Sequence, residues 1–247
     1  VKVLLATALT AVFLYFGYSQ IPQEIKLETF NNTTRNIYNN YEIIPIIKED
    51  YKKLKKEKKI REIEETWTVI FDEAGASPDD DRRMYFRLYA ETIVEILEEF
   101  QNKDSKTVKI TGVELPKNEL IHILIAYIVY RESSVNPTVV GKKPRREVGL
   151  MQAWGRALMG FSREEVRKDF ELGLFLGIHW LGTMIQECKI DVDSMQTINS
   201  WKGPLSLYGA GPKRAIKNGR CLTNFRFANR RIKKTKELAR LVKKEIL

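Results

Sequence analysis

"LIHILIAYIVYRESSVNP", residues 120–137, decides how the rest of the chain is read. From Leu120 to Tyr130 it carries one polar group apart from tyrosine hydroxyls, His122, and then Arg131, Glu132, Ser133 and Ser134 follow in a row. Eleven residues with a single polar interruption, plus flanks, are long for a strand, so the run predicts a buried helix. His122 falls one turn into that helix. With one other histidine in the chain, it is read as a core or edge residue rather than a metal ligand. Glu132 has two readings. It marks a helix end returning to solvent, or it is a carboxyl held against an apolar wall that favours its neutral, proton-bearing form.

The surrounding composition is that of a globular protein. Of 247 residues, 43% are hydrophobic and 30% charged, which excludes a disordered chain. The net charge of +10 is concentrated at one end: from Lys213 onward there are 13 Lys and Arg against 2 acidic residues. That leaves residues 1–212 close to neutral. The basic tail (226–247) places Ile232, Leu238, Val242 and Ile246 on a rough helical stripe. Anionic polymer, membrane surface and protein partner all remain open for it, as does packing within the chain, and no specific nucleic acid is expected.

At the other end, Lys2 precedes an uncharged run from Val3 to Tyr18. Residues 1–20 are read as a transmembrane anchor or signal segment, with the body of the protein exported. The Asn-rich stretch 21–42 reads as a linker. From Ile43 to Phe71, apolar residues three and four apart, among them Ile60, Ile63, Trp67 and Ile70, predict an amphipathic helix. A second helix is predicted from the start signal at Ser77, Pro78 and Asp79–Asp81, with Met84, Leu88, Ile93, Ile96 and Leu97 as its apolar face. Together 43–106 is taken as a helical arm, a spacer or docking element. Residues 107–118 are the one strand or turn region expected before the motif, and Ser162 with Glu165 predicts a capping box. Cys188 and Cys221 stand 33 residues apart and are either a disulfide or two free thiols.

Four further pieces stand in order: "RESSVNP" at 131–137, "VGLMQAWG" at 148–155, "GIHWL" at 177–181 and "SLYGAGP" at 206–212. In combination they resemble the soluble lytic transglycosylase family, whose catalytic domain is goose-type-lysozyme-like. The resemblance covers roughly residues 115–225 and implies a mainly α, lysozyme-like transglycosylase domain at 107–225. It implies Glu132 as the single acid and base, with Ser133 and Tyr208 in support. Gly149, Leu150, Met151 and Gln152 would line the substrate cleft with Gly209 and Ala210, and Trp154 would stack on a sugar. Trp180 is read as core.

The chemistry is consistent with that assignment. Breaking a glycosidic bond needs an acid for the leaving oxygen as positive charge develops at the sugar carbon. Most glycosidases add a second carboxylate, and the motifs supply none beyond Glu147 in its basic loop. The family dispenses with one, because the 6-hydroxyl of the substrate attacks and leaves a 1,6-anhydro sugar. The reaction expected is therefore cleavage of the MurNAc–GlcNAc β-1,4 bond of peptidoglycan in a cell wall, bacterial or attacked by phage. It implies no metal or organic cofactor. The alternatives are a hydrolytic muramidase using Glu147 as base, and a catalytically weak wall-binding component. Two departures stand out: Gly209 replaces the Asn common in the family, and the loop around Lys142, Lys143, Arg145 and Arg146 is unusually basic.

Overall fold

The apolar run at the centre of the chain folds as a helix, Ile121–Ser133, with nine of its residues buried. A helix buried on most of its circumference needs neighbours on every side, and the rest of the chain supplies them. The computed structural model describes residues 43–101, 112–142, 146–153, 155–210, 212–217 and 220–246. In chain order the helices are α1 (Ile43–Glu73), α2 (Phe86–Gln101), α3 (Ile121–Ser133), α4 (Arg163–Lys168), α5 (Phe170–Glu187), α6 (Lys202–Ala210), α7 (Pro212–Ala215) and α8 (Arg226–Ile246). Between α7 and α8 a two-stranded antiparallel ribbon, β1 (Ile216–Lys217) and β2 (Arg220–Cys221), pairs Ile216 with Cys221 and Lys217 with Arg220.

α1 lies along α3, and three contacts fix their register. Nε2 of His122 meets a carboxylate oxygen of Glu62 at 2.6 Å. Nε1 of Trp67 donates to the carbonyl of Ala126 at 2.8 Å. The Phe71 ring meets Tyr130 edge-on at 5.9 Å. Both sets of numbers rise together, so the two helices run in the same direction. On another side Ile123 clusters with Leu238 and Ala239 of α8. α2 contributes Ala90, Ile93, Val94 and Leu97, and α5 contributes Leu174, Ile178, Leu181 and Ile185, to the same continuous core. Arg87 of α2 also pairs with Glu57 and Glu64 of α1, at 2.8 and 3.3 Å.

These contacts correct the expected organisation. Residues Lys56–Lys243 form one compact unit, so most of the expected arm is core rather than spacer. Outside that unit, the described residues 43–55 and 244–246 are helical. The arm reading failed because its charged face is conspicuous in sequence, whereas Ile63 and Trp67 are completely buried. The fold is mainly helical. Among the described residues no helix is long and apolar enough to cross a membrane. The expected anchor, residues 1–20, lies outside the described residues, so membrane anchoring, and the exported placement built on it, have no support and are withdrawn.

Other local expectations meet their outcomes here. The capping box at Ser162 and Glu165 is present in both directions. The start of the second helix is not at Ser77: Asp80 caps a short 3-10 turn, Asp81–Tyr85, that leads into α2. In consequence Met84 and Leu88 are exposed, and Phe86, Tyr89 and Phe100 take their places in the core. Cys188 and Cys221 are joined, tying the end of α5 to β2 with Cα atoms 5.2 Å apart. A bridge of this span stabilises by about 3–4 kcal/mol, mainly by restricting the unfolded chain. The basic tail packs through Ala228, Ile232, Leu238, Ala239 and Val242. Packing within the chain, one of its open readings, is therefore what the tail's apolar stripe does.

Two expectations test this architecture. Trp67→Ala should cost about 3–5 kcal/mol in denaturant unfolding, where an external arm would lose almost nothing. The Glu62–His122 pair should also make stability fall in acid. Burial pushes the Glu62 carboxyl up, but the His122 hydrogen bond and nearby positive charge outweigh it and leave it below its usual value. A carboxyl lowered on folding contributes stability above its unfolded value, and that contribution is lost as pH falls through the folded one. Unfolding free energy should therefore drop below about pH 4. Glu62→Gln should flatten that limb, and an unchanged limb would mean the pair contributes nothing.

Candidate functional site

Glu132 sits one residue from the end of α3, where the core shell stops. Ser134 ends the helix in the left-handed conformation (φ 53°), and Val135 follows in the same region (φ 59°) while fully buried. A β-branched residue at positive φ is a strained arrangement, and it turns the chain sharply away just after the carboxylate. Glu132 is thereby left at the wall of a cleft of about 240 Å³. Gln152, Trp180, Tyr208 and Arg231 line the same cleft. α3, the loop around Val148, α5, α6 and α8 all contribute to it.

Close approaches at glycines lock the loop to the helices. Val148 bridges to both Val140 and Ala153 in antiparallel fashion, folding the loop on itself. A Cβ added at Gly177 of α5 would lie 2.3 Å from Cβ of Met151, so the loop packs directly on the helix backbone. Gly149 takes φ 78°, a left-handed conformation that favours glycine, and a Cβ there would meet Val166 at a tight 3.1 Å. Gly177 of one motif thus admits Met151 of another.

The polar groups are more fully engaged than the sequence implied. Arg231 of α8 donates from Nη2 to Oε1 of Glu132. The side chains are 14% and 23% exposed, respectively. The apolar wall expected for the glutamate thus includes a buried guanidinium. The Ser133 hydroxyl is buried and donates to the carbonyl of Val129, one turn back, at 2.9 Å, and so is turned into its own helix. The Tyr208 hydroxyl donates to the carbonyl of Met151 at 2.7 Å, while its ring faces the Arg231 guanidinium at 5.4 Å. Burial, and then the negative charge of Glu132, push the Tyr208 phenol far above its ordinary value, so it stays a neutral donor. Gln152 takes φ 51° and donates from Nε2 to the carbonyls of Val139 (3.1 Å) and Gly149 (2.9 Å), bracing the loop.

Of the residues expected at the site, Glu132, Met151, Gln152, Tyr208 and Gly209 converge on the cleft. Ser133, Gly149, Leu150 and Ala210 do not line it. Leu150 is core, and Ala210 packs near the disulfide. Trp154 lies outside the described residues, as do Lys143 and Arg145 of the basic loop, whose Lys142 and Arg146 are exposed. Trp180, expected in the core, is half-buried and forms part of the cleft wall. Glu147 also lines the cleft. A Cβ at Gly141 would fall 2.2 Å from a Glu147 carboxylate oxygen and 3.2 Å from the side-chain amide oxygen Oε1 of Gln152. Among the described residues no three His, Cys, Asp or Glu side chains are grouped to hold a metal.

Arg231 and Phe227 escaped the sequence reading. Their signal is a helical one: Phe227, Arg231, Thr235 and Leu238 share one side of α8, an arginine in an otherwise inward-facing row. Phe227 also explains the first departure. A Cβ at Gly209 would meet its ring at 2.3 Å, so this chain has an aromatic ring where a larger residue at 209 would need space.

No protein-family model, curated protein or solved structure matches the chain. The lysozyme-like domain expected from the four motifs therefore has no structural counterpart to support it. The fold stands as mainly helical, no more closely classified.

Gly209→Asn should destabilise the protein by about 1–3 kcal/mol through overpacking against Phe227. In a chain that also carries Phe227→Ala, the same change should cost clearly less. Equal costs in the two backgrounds, by denaturant unfolding, would show that the ring is not the constraint.

Proposed function

We propose that this protein is a peptidoglycan lytic transglycosylase with Glu132 as its acid and base. One observation carries the reading. Residues from motifs spread over some eighty positions, Glu132, Gln152, Gly177 and Tyr208, line a single cleft. A glycan strand in that cleft would set its glycosidic oxygen beside Glu132. The protonated carboxyl gives its proton to that oxygen as the bond to the MurNAc anomeric carbon breaks. The 6-hydroxyl of the same MurNAc then attacks the anomeric carbon, and its proton returns to the Glu132 carboxylate. The products are a 1,6-anhydro-MurNAc end and a free GlcNAc 4-hydroxyl, with no water consumed. The other polar side chains shape the cleft: Gln152 braces its loop and the Tyr208 hydroxyl holds the Met151 backbone.

A second reading is favoured by the position of Glu147. A second carboxylate on the same cleft is what a hydrolase needs to activate water, so a muramidase on this scaffold is the rival.

The 247-residue chain should be incubated with purified peptidoglycan beside Glu132→Gln. Soluble fragments are then analysed by mass spectrometry. Anhydro-MurNAc ends are expected, reduced at least about 10²-fold in the variant. Reducing ends abolished by Glu147→Gln would replace the reading with the hydrolase. A folded protein that binds the polymer and releases nothing would leave only a wall-binding component.

A further inference from the structure

We infer that Arg231, on the C-terminal helix, is a positioning residue for the cleavage assigned to Glu132, holding one carboxylate oxygen so that the other addresses the glycosidic bond. The inference rests on the transglycosylase reading and adds a residue outside the stretch that carries the motif resemblance. Four observations support it. First, α8 gives Arg231 a fixed base: Ala228 and Ile232 on either side of it are buried, and its carbonyl accepts the Thr235 hydroxyl at 2.8 Å. Second, the guanidinium carbon lies within the cleft wall over the rings of Tyr208 at 5.4 Å and Phe227 at 5.9 Å. Third, Nη2 is bonded to Oε1 of Glu132.

The fourth observation separates a functional arrangement from a merely stabilising one. Nη1 is sealed from solvent and has no hydrogen-bond partner. A buried ion pair contributes little net stability even when every donor is satisfied, and an orphaned donor makes this one costlier still. An apolar residue packed between Phe227 and Tyr208 would serve the fold at least as well. Strained or unsatisfied groups kept at a cleft are characteristic of sites where geometry is held for chemistry.

The chemistry needs what the guanidinium supplies. A glutamate carboxyl turns readily about its last bond, whereas proton transfer requires one oxygen in line with the leaving group. Fixing Oε1 sets the plane of the group. Once the proton has passed to the glycosidic oxygen, the carboxylate left behind keeps as its counter-ion the guanidinium already bonded to Oε1, until the 6-hydroxyl returns a proton to it. Lysine could offer the charge, but not a planar fork with fixed donor directions.

Arg231→Gln and Arg231→Lys should be made in the full chain and their turnover measured on soluble peptidoglycan fragments, with thermal unfolding in parallel. Arg231→Gln is expected to lower kcat about 10²-fold with KM changed less than about threefold, as befits lost orientation rather than lost binding. Arg231→Lys should recover about tenfold of that loss. A folded Arg231→Gln protein with wild-type kcat, or one impaired only in KM, overturns the inference while leaving the function intact. Should Arg231→Gln fail to fold, Arg231→Lys decides: about a tenfold loss of kcat supports the role, and wild-type kcat removes it. A wild-type chain inert on peptidoglycan removes both this inference and the function beneath it.

Discussion

The structure depends on the burial of α3. A helix with nine buried residues among thirteen has almost no face to offer water, so it is stable only inside a shell of other helices. α1, α2, α5 and α8 form that shell, each by burying its own apolar stripe on the same core. The constraint also places the site. A charged side chain cannot lie in the middle of α3 without a partner, so the first position open to a carboxylate is where the shell ends. Glu132 occupies it, and the strained turn at Val135 takes the chain away immediately afterwards.

Much of this was legible in sequence because it is local. The run from Leu120 to Tyr130 announces a buried helix through composition alone, and Ser162 with Glu165 announces a capping box by spacing. What escaped was set by partners distant in the chain. The arm at 43–106 looked external because its lysines are obvious, while its packing depends on Trp67 finding the Ala126 carbonyl 59 positions away. The start of α2 moved because Asp80 caps through its own side chain, a choice between neighbouring acids that composition does not rank. The anchor rested on residues 1–20 taken alone, and nothing in the described helices supports it.

The cleft shows the same division. Four motifs identified Glu132, Gln152 and Tyr208 as neighbours, and these do line one cleft. Their hydrogen bonds were not legible. Ser133 and Tyr208 were expected to address the carboxylate, yet each hydroxyl satisfies a backbone carbonyl instead, of Val129 and of Met151. A buried hydroxyl takes the nearest strong acceptor, and which acceptor is nearest depends on how far the Val148 loop closes onto α5. Gly177 and Met151 fix that closure.

Gly209, Phe227 and Arg231 are better understood as one fitted arrangement than as separate features. Gly209 leaves room for the Phe227 ring. Phe227, one turn before Arg231 on α8, provides one of the two aromatic faces that flank the guanidinium, and Tyr208 beside Gly209 provides the other. An arginine could not be buried to this degree against bare aliphatic walls without a larger desolvation cost. The small residue at 209 thus belongs with the arginine at 231, twenty-two positions away, and both bear on the same carboxylate.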